Sequence, residues 1–209
     1  MKLRILLVSL AAVTGLSVLV ALSPSAPAAA PAPTGPAPVV ATGPYQLDPS
    51  HTSVIYRIRH NDVSYFYGRF NDITGSITYD AANPAQGAVE LVIKSESVDS
   101  KNTRRDDDLR SPSFFNAAQF PDITFASTAI KKVSSDTFDV NGNFTMRGVT
   151  KSLTLRVKQT GSLTTQRGTQ LVGFESTFTL KRSDYGMTYM LDRGLGDEVT
   201  VMVGIEARR

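Results

Sequence analysis

The residues best suited to catalysis in this chain lie close together near position 50. Asp48, Ser50 and His51 carry the carboxylate, hydroxyl and imidazole groups of a nucleophilic triad. These three residues are too close in sequence to be positioned around a substrate by different strands or helices. The chain also has no G-x-S-x-G turn. The pattern instead predicts a turn, stabilised by the Asp and Ser side chains, that leads into a strand.

Residue types that bind metals are sparse. His51 and His60 are the two histidines, and there is no cysteine, so the groups typical of zinc or iron sites are few. Asp106, Asp107 and Asp108 offer carboxylates, but their spacing lacks the alternation and the glycine of a calcium loop. Acidic residues at this position favour the start of a helix instead. We therefore expect a protein that is not an enzyme and has no catalytic residue, metal or cofactor.

The elements that must position any site are strands. From Thr52 onward, apolar residues recur at every second position, which is typical of strands with one buried face. Eight such antiparallel strands must bury their apolar faces together, either in a closed barrel or in two packed sheets. The eight apolar patterns lie within residues 52–60, 68–80, 87–95, 122–131, 138–146, 153–157, 170–182 and 199–205.

One segment, residues 96–121, breaks this period. Residues 102–109 are polar and compatible with a helix, and Ser111 predicts the start of a second short helix that carries Phe114 and Phe115. An excursion of this length within a compact domain is typical of a lid or rim over a site.

The N-terminus predicts export. Lys2 and Arg4 precede an apolar run over residues 5–22, and small residues up to Ala28 form a cleavage site, so residues 1–28 read as a signal peptide. We expect a periplasmic or secreted protein. The alternative is an uncleaved membrane anchor, because the apolar run approaches the length of a membrane span.

The remaining chain divides into a spacer and one domain. Residues 29–44 are rich in Ala and Pro and predict a disordered, extended spacer, whereas residues 45–209 form the folded domain. Removal of Lys2 and Arg4 with the signal peptide lowers the net charge from +3 to +1. The Lys and Arg residues do not cluster along one face of the predicted domain, so a nucleic-acid partner is not expected.

The inward face of the strands is aromatic and aliphatic. Gly75, Gly142 and Ser176 interrupt it, and such small residues leave volume unfilled between their neighbours. An eight-stranded barrel is wide enough either to be filled by side chains or to hold one small ligand. A solid core and a cavity therefore both remain open at this point.

Short motifs along the whole folded domain resemble those of the YceI-like polyisoprenoid-binding proteins. They keep their order from Tyr45 to Ala207. The motifs are Asp48-Pro49-Ser50-His51-Thr52-Ser53-Val54, Arg59-His60, Gly68-Arg69-Phe70, Arg105-Asp106, Leu109-Arg110-Ser111, Phe114-Phe115, Phe120-Pro121-Asp122-Ile123-Thr124-Phe125, residues 142–151, Arg182-Ser183-Asp184-Tyr185-Gly186-Met187 and Asp197-Glu198-Val199.

The resemblance implies an all-β, eight-stranded antiparallel, lipocalin-like barrel outside the cytoplasm. Such a protein holds a long isoprenoid chain, of the polyprenyl or quinone-precursor type, along the barrel axis. In that family a Phe often stands where Tyr56 lies. The competing interpretation is an interaction module with a packed barrel that docks a membrane partner, and the sequence leaves open both transient membrane contact and a homodimer.

The resemblance and the inward pattern together nominate ligand-binding residues. Phe114 and Phe115 are expected to gate the mouth of the tunnel. His60, Arg105, Asp106 and Arg182 are candidates for contact with a polar head group. The tunnel wall is expected to consist of Val54, Tyr56, Ile58, Phe70, Ile77, Phe125, Phe138, Phe144, Phe174 and Phe178.

Overall fold

The computed structural model of this chain describes residues 44–80 and 82–209. The predicted signal peptide lies outside the described residues, and so does the predicted spacer except for Pro44, which begins the first strand. Within the described ranges, no helix has the length and apolar character of a membrane span.

The described chain is mostly β-strand. It also has one α-helix, α1 (Thr103–Arg110), and three short 3-10 helices at Pro84–Gln86, Ser95–Ser97 and Arg182–Tyr185. The strands are β1 (Pro44–Leu47), β2 (Ser53–His60), β3 (Ser64–Phe70), β4 (Ile73–Thr78), β5 (Ala88–Lys94), β6 (Val98–Asp99), β7 (Asp122–Lys132), β8 (Thr137–Met146), β9 (Val149–Thr164), β10 (Gln170–Lys181) and β11 (Leu195–Arg208).

These strands form one closed antiparallel barrel with eight strand positions. Three positions are each shared by two successive strands, because β1 continues into β2, β3 into β4 and β5 into β6. The ring closes because β1 pairs with both β4 and β11. Each position pairs with the positions before and after it in sequence, which is an up-and-down barrel. The predicted eight-stranded antiparallel barrel is confirmed, and two packed sheets are excluded.

The barrel has two distinct ends. The mouth end carries the β2–β3 turn, α1, the β8–β9 turn and the loop 186–194 between β10 and β11. The far end carries the β7–β8 and β9–β10 turns. The β8–β9 turn is tight because Arg147 and Gly148 both adopt positive φ, at 51° and 72°. This is the type I′ geometry that matches the twist of a hairpin.

The strand predicted over residues 68–80 is two strands in the structure. The break falls at Asn71 and Asp72, whose backbone N–H groups both donate to the Ser97 hydroxyl, at 3.2 and 3.0 Å. The Asn71 N–H also donates to the Ser97 carbonyl at 3.1 Å. Ser97 thus accepts hydrogen bonds from two donors that a regular strand ladder would use, and the two-residue period of the sequence does not show this break.

The second short helix predicted to carry Phe114 and Phe115 is absent, and this segment consists of turns. Helix α1 ends at Arg110. The next residue, Ser111, is extended (ψ 167°) because the ring of Pro112 disfavours helical backbone in the residue before it. The chain then folds back, and the Phe115 N–H donates to the Leu109 carbonyl at 2.9 Å.

Two of the small inward residues do not leave empty space. A Cβ atom on Gly142 would clash with the ring of Phe125, and one on Gly75 would clash with the carbonyl of Glu90. These glycines instead let neighbouring groups approach the backbone closely. The expectation that they leave volume unfilled was therefore wrong.

Asp48 anchors the kink between β1 and β2. Its carboxylate accepts hydrogen bonds from the Ser50 N–H at 3.0 Å and from the Ser50 hydroxyl, which forms the predicted turn. The Asp48 N–H donates to the Glu206 carbonyl of β11 at 2.8 Å. The hydrogen bonds from Ser50 lower the pKa of Asp48 to about 2.

This lowered pKa makes the contribution of Asp48 to stability dependent on pH. A carboxylate with a folded-state pKa below its unfolded value of 3.8 stabilises the fold above that value. The contribution is lost as the pH falls through about 2. We expect Asp48→Asn to lower Tm at neutral pH, with the difference from the unaltered protein shrinking towards pH 2 in thermal melts followed by circular dichroism. Asp192→Asn, at an exposed carboxylate, is the control, and a difference for Asp48→Asn that does not vary with pH would contradict this account.

Candidate functional site

A cavity of about 500 Å³ occupies the interior of the barrel. This volume lies within the range of small-molecule binding sites. The wall includes His60 and Tyr189 from the mouth end and Tyr79 and Ile130 from the far end. The cavity therefore extends along the barrel axis rather than lying in one wall.

Strand β11 shows most directly that the interior is hollow. Val199, Val201, Val203 and Ile205 share the inward face, because Val201 and Ile205 stand directly opposite the inward Phe178 and Phe174 of β10. All four are only half-buried although they point into the barrel. Since they line the cavity, their accessible surface faces the cavity rather than bulk solvent.

All twelve residues nominated for the tunnel and its gate line this cavity. Whether they contact a ligand stays a prediction. The sequence also missed many wall positions, among them the four on β11, although these belong to apolar alternations that it identified. The missed apolar wall residues are Phe66, Val89, Leu91, Ile93, Leu109, Ile123, Ile130, Val140, Met146, Leu155, Val157, Leu180, Met187, Met190, Leu195, Val199, Val201, Val203 and Ile205.

Aromatic contacts bring two covering segments together at the mouth. Phe115 packs edge-on against Phe70 with ring centroids 5.3 Å apart, and Phe114 packs edge-on against Tyr189 of the loop 186–194 at 5.5 Å. Arg147 joins the same two segments, because its guanidinium donates to the carbonyls of Gly186 and Pro112 at 2.8 and 3.1 Å. The segment after α1 and the loop 186–194 therefore meet over the mouth.

A second aromatic cluster lies deep in the cavity, towards the far end. The ring of Tyr79 packs edge-on against Phe174 at 5.4 Å and Phe138 at 6.1 Å. The Tyr79 hydroxyl donates to Gln159 Oε1 at 2.7 Å. The far part of the wall is therefore aromatic, and the Tyr79 hydroxyl bonds to a protein group.

Helix α1 places one of its two nominated residues, Arg105, in the wall of the mouth and turns the other, Asp106, away from it. Arg105, Asp108 and Leu109 line the cavity, whereas Asp106 does not. Asp106 is buried, and its carboxylate accepts hydrogen bonds from the Ser100 N–H, at 2.8 Å, and from the Ser100 hydroxyl. The spacing of i, i+3 and i+4 puts residues 105, 108 and 109 on one helix face and turns residue 106 away.

Arg105 is held against the wall of the mouth. Its guanidinium lies 4.1 Å from the ring centroid of Phe66, a cation–π contact. It also donates to the hydroxyl and the carbonyl of Ser100, both at 2.9 Å. Arg105 therefore presents a fixed positive charge beside the cavity.

Arg182 holds the loop 186–194 in place. It is 2% exposed and donates to the carbonyls of Gly196, Met187, Tyr189 and Leu195 at 2.8 to 3.0 Å. Burial lowers the pKa of the Arg182 guanidinium, and Asp197 acts in the opposite direction. Arg182 lines the cavity as predicted, but four of its five N–H donors are committed to backbone carbonyls.

Most of the remaining polar residues that line the cavity lie at the mouth, whereas Thr78, Glu175 and Ser176 line it in the middle or at the far end. His60 is exposed at the end of β2, and Asp108, Ser111 and Ser113 line the same part of the cavity. Most of the deeper wall is aliphatic or aromatic. The site is therefore amphipathic, with a long apolar interior and a polar entrance.

Tyr56 is a polar exception within the apolar wall. Its hydroxyl is buried and has no hydrogen-bond partner among residues 44–80 and 82–209. Burial raises the pKa of Tyr56, and the nearby Asp106 raises it further. The phenol end lies over Gly68, so a Cβ atom at that position would force the Tyr56 ring to move.

Within residues 44–80 and 82–209, one group of residues has ligand atoms suited to a metal ion, and it lies outside the cavity wall. Ligand atoms of Asp48, His51 and Glu206 all lie within 4.8 Å of one another. His51 Nδ1 is 3.3 Å from Asp48 Oδ2 and 3.7 Å from Glu206 Oε1, and Arg208 is 3.5 Å from the same Asp48 oxygen. The guanidinium opposes a second cation there, so the arrangement is best described as an ion-pair network that joins the β1–β2 kink to β11.

Comparison with solved structures identifies the same fold elsewhere. The structure of BcnA from Burkholderia cenocepacia matches with a TM-score of 0.69 and 22% identity, over 77% of this chain and 99% of that one. The YceI protein of Campylobacter jejuni matches with a TM-score of 0.64 and 27% identity, over 70% and 86% of the two chains. A polyisoprenoid-binding domain from Saccharophagus degradans matches with a TM-score of 0.61 and 18% identity, over 78% and 97%.

Sequence comparison identifies nearer relatives. A UPF0312 protein of Yersinia pestis is 40% identical over 164 residues, which cover 78% of this chain and 84% of the relative. A UPF0312 protein of Pseudomonas paraeruginosa is 38% identical over 168 residues, which cover 79% and 86%. The model of the YceI-like domain matches residues 45–207, the whole barrel apart from its terminal residues. This chain therefore belongs to the YceI-like family.

Proposed function

We propose that this protein binds a long apolar lipid of the polyisoprenoid type inside its barrel. The observation that carries the proposal is a mainly apolar cavity along the barrel axis, with most of its charged and polar residues at one end. This arrangement matches a molecule with a long hydrocarbon tail and a small polar head. The polyisoprenoid-binding domain of Saccharophagus degradans, which has the same fold, supports the choice of ligand class.

The energetics favour a carrier that exchanges its ligand with a membrane. Transfer of a prenyl chain of about forty carbons from water would contribute on the order of 30 kcal/mol at about 0.8 kcal/mol per carbon group. This exceeds the practical limit of about 18–21 kcal/mol for non-covalent binding. A free lipid of this kind resides in a bilayer, so only the difference between bilayer and barrel counts. A wall of apolar side chains gives a small difference, which permits both loading and release.

The same geometry supports a binding protein rather than an enzyme. The deep wall consists mainly of apolar side chains, and the guanidinium groups of Arg105 and Arg182 are hydrogen-bonded to neighbouring protein groups. The competing interaction module requires a packed barrel, and a cavity of about 500 Å³ does not fit that interpretation. The predicted signal peptide supports export, and we propose that the protein acts outside the cytoplasm.

Filling the cavity should abolish lipid binding without loss of the fold. We expect Val203→Trp, on the inward face of β11, to remove bound lipid, because the indole occupies the space of the hydrocarbon tail. Met202→Trp is the matched control, since its neighbours Ile55 and Thr177 are exposed and it lies on the outer face of the same strand. Native mass spectrometry after incubation with a prenyl alcohol in detergent micelles measures the occupancy.

The melting temperature of Val203→Trp provides a second readout. A larger side chain in a filled core typically lowers the free energy of unfolding by about 1–3 kcal/mol, whereas one that enters an empty cavity lowers it little. We expect a Tm close to that of the unaltered protein together with loss of the lipid adduct. Equal lipid occupancy in Val203→Trp and Met202→Trp would contradict the proposed function.

Tyr56→Phe tests whether the buried hydroxyl serves the fold or the ligand. A buried hydroxyl without a partner costs about 1–3 kcal/mol, so its removal should leave the free energy of unfolding unchanged or raise it. We expect prenyl alcohol occupancy to be retained, because the aromatic ring remains in the wall. Urea unfolding and native mass spectrometry measure the two quantities. A loss of stability above about 1 kcal/mol would show that the hydroxyl has a bonding role.

A further inference from the structure

Large apolar side chains on the outer surface are concentrated at the mouth end of the barrel. Among the residues that the structure describes, nine large hydrophobic side chains are exposed. Two lie at the far end, Val133 and Leu163, and Ile55 lies midway along β2. The six at the mouth end are Val63, Tyr65, Tyr67, Val149, Tyr189 and Leu191.

The β2–β3 hairpin carries half of this group on one face. Val63 at its turn is 83% exposed, and Tyr65 and Tyr67 on the outer face of β3 are 47% and 52% exposed. Arg59 and Arg57 of β2 stand directly opposite these tyrosines. Both guanidinium groups lie over the ring of Tyr65, at 5.5 and 4.6 Å from its centroid. The turn also contains Asn61 and the exposed Asp62, whose carboxylate lies 3.5 Å from the Arg59 guanidinium. The hairpin therefore combines one exposed apolar side chain at its tip with a column of tyrosines and a column of arginines.

This face is continuous with the entrance of the cavity. The Asn61 N–H donates to the Gly194 carbonyl at 2.6 Å, which joins the hairpin to the loop that carries Tyr189 and Leu191. Phe66, in the same hairpin, lines the cavity, as Tyr189 does from the loop. The exposed apolar groups thus border the mouth of the cavity.

We propose that these residues form a docking surface for an anionic phospholipid bilayer. The rim surface is defined as Val63, Tyr65, Tyr67, Tyr189 and Leu191, together with Arg57 and Arg59. The inference rests on the proposed function and adds to it the membrane that the mouth of the barrel contacts. Tyrosine favours the boundary between hydrocarbon and headgroups, and arginine pairs with lipid phosphates through its fork of donors. The narrow turn at Val63 suits insertion between headgroups, and a prenyl tail could then pass from bilayer to cavity without crossing water.

The chain contains no cysteine, so the depth of single sites can be measured in the full chain. Val63→Cys places a polarity-sensitive NBD fluorophore at the rim, and Leu163→Cys places it at the far end, where Leu163 is 59% exposed. Each labelled protein is titrated with vesicles of phosphatidylcholine alone or mixed with phosphatidylglycerol. Both labelled proteins have the same N-terminal segment. If that segment alone attached the protein to vesicles, the labels at positions 63 and 163 would not differ in their response.

We expect the emission of the label at position 63 to shift to the blue with the anionic vesicles, and the label at position 163 to stay unchanged. Adding Tyr65→Ser and Tyr67→Ser should raise the lipid concentration for half-response about tenfold. Arg57→Gln with Arg59→Gln should remove the preference for anionic vesicles. No response at position 63, or equal responses at positions 63 and 163, would overturn the docking surface.

Loading from detergent micelles separates this inference from the proposed function, because that assay contains no bilayer. The variant with Tyr65→Ser and Tyr67→Ser should take up the prenyl alcohol as fully as the unaltered protein. Normal uptake without a vesicle response at position 63 would overturn docking and leave lipid binding intact. A vesicle response without any uptake would overturn lipid binding instead.

Discussion

Closure of the sheet into a ring is the constraint on which the rest of this structure depends. Because β1 pairs with both β4 and β11, every strand position finds hydrogen-bond partners on two sides. Alternate side chains from eight positions must then share one interior. Phe125 uses the space beside Gly142, yet the valines of β11 still retain accessible surface inside the barrel. The cavity therefore depends both on closure of the sheet into a ring and on the size of the side chains that line it.

The hydrogen bonds of the polar side chains at the mouth show which of them support the fold. Arg182 is buried and donates to the carbonyls of Met187 and Tyr189 in the loop 186–194 and to those of Leu195 and Gly196 at the start of β11, so its guanidinium ties that loop to the strand. Arg147 then links this loop to the segment after α1. His60 and Arg105 also line the mouth, and their contact with a polar head group stays a prediction.

Sequence periodicity predicted the strands and the apolar character of their inward face, because the two-residue period is a local property of a strand. The choice of a closed barrel over two packed sheets came from the resemblance to the YceI-like family. Periodicity could not show that a Ser97 side chain interrupts the second strand, since that contact joins residues 25 or more positions apart. Asp106 was misplaced for a different reason. Its position on α1 depends on the rotation of the helix, and the helical spacing of residues 105, 108 and 109 was the signal that would have excluded it. Likewise, the sequence could not show which neighbouring group lies against Gly142 or Gly75.

The central claim is that the barrel interior is an apolar hollow that holds a hydrocarbon chain. The most direct measurement is a crystal structure, at a resolution that shows ordered solvent, of protein purified without denaturation or lipid extraction. The account predicts continuous, elongated density along the axis, in contact with Val201 and Phe144 and ending near His60 and Arg105. An interior filled from end to end by protein side chains, with no room for a tail, would contradict it.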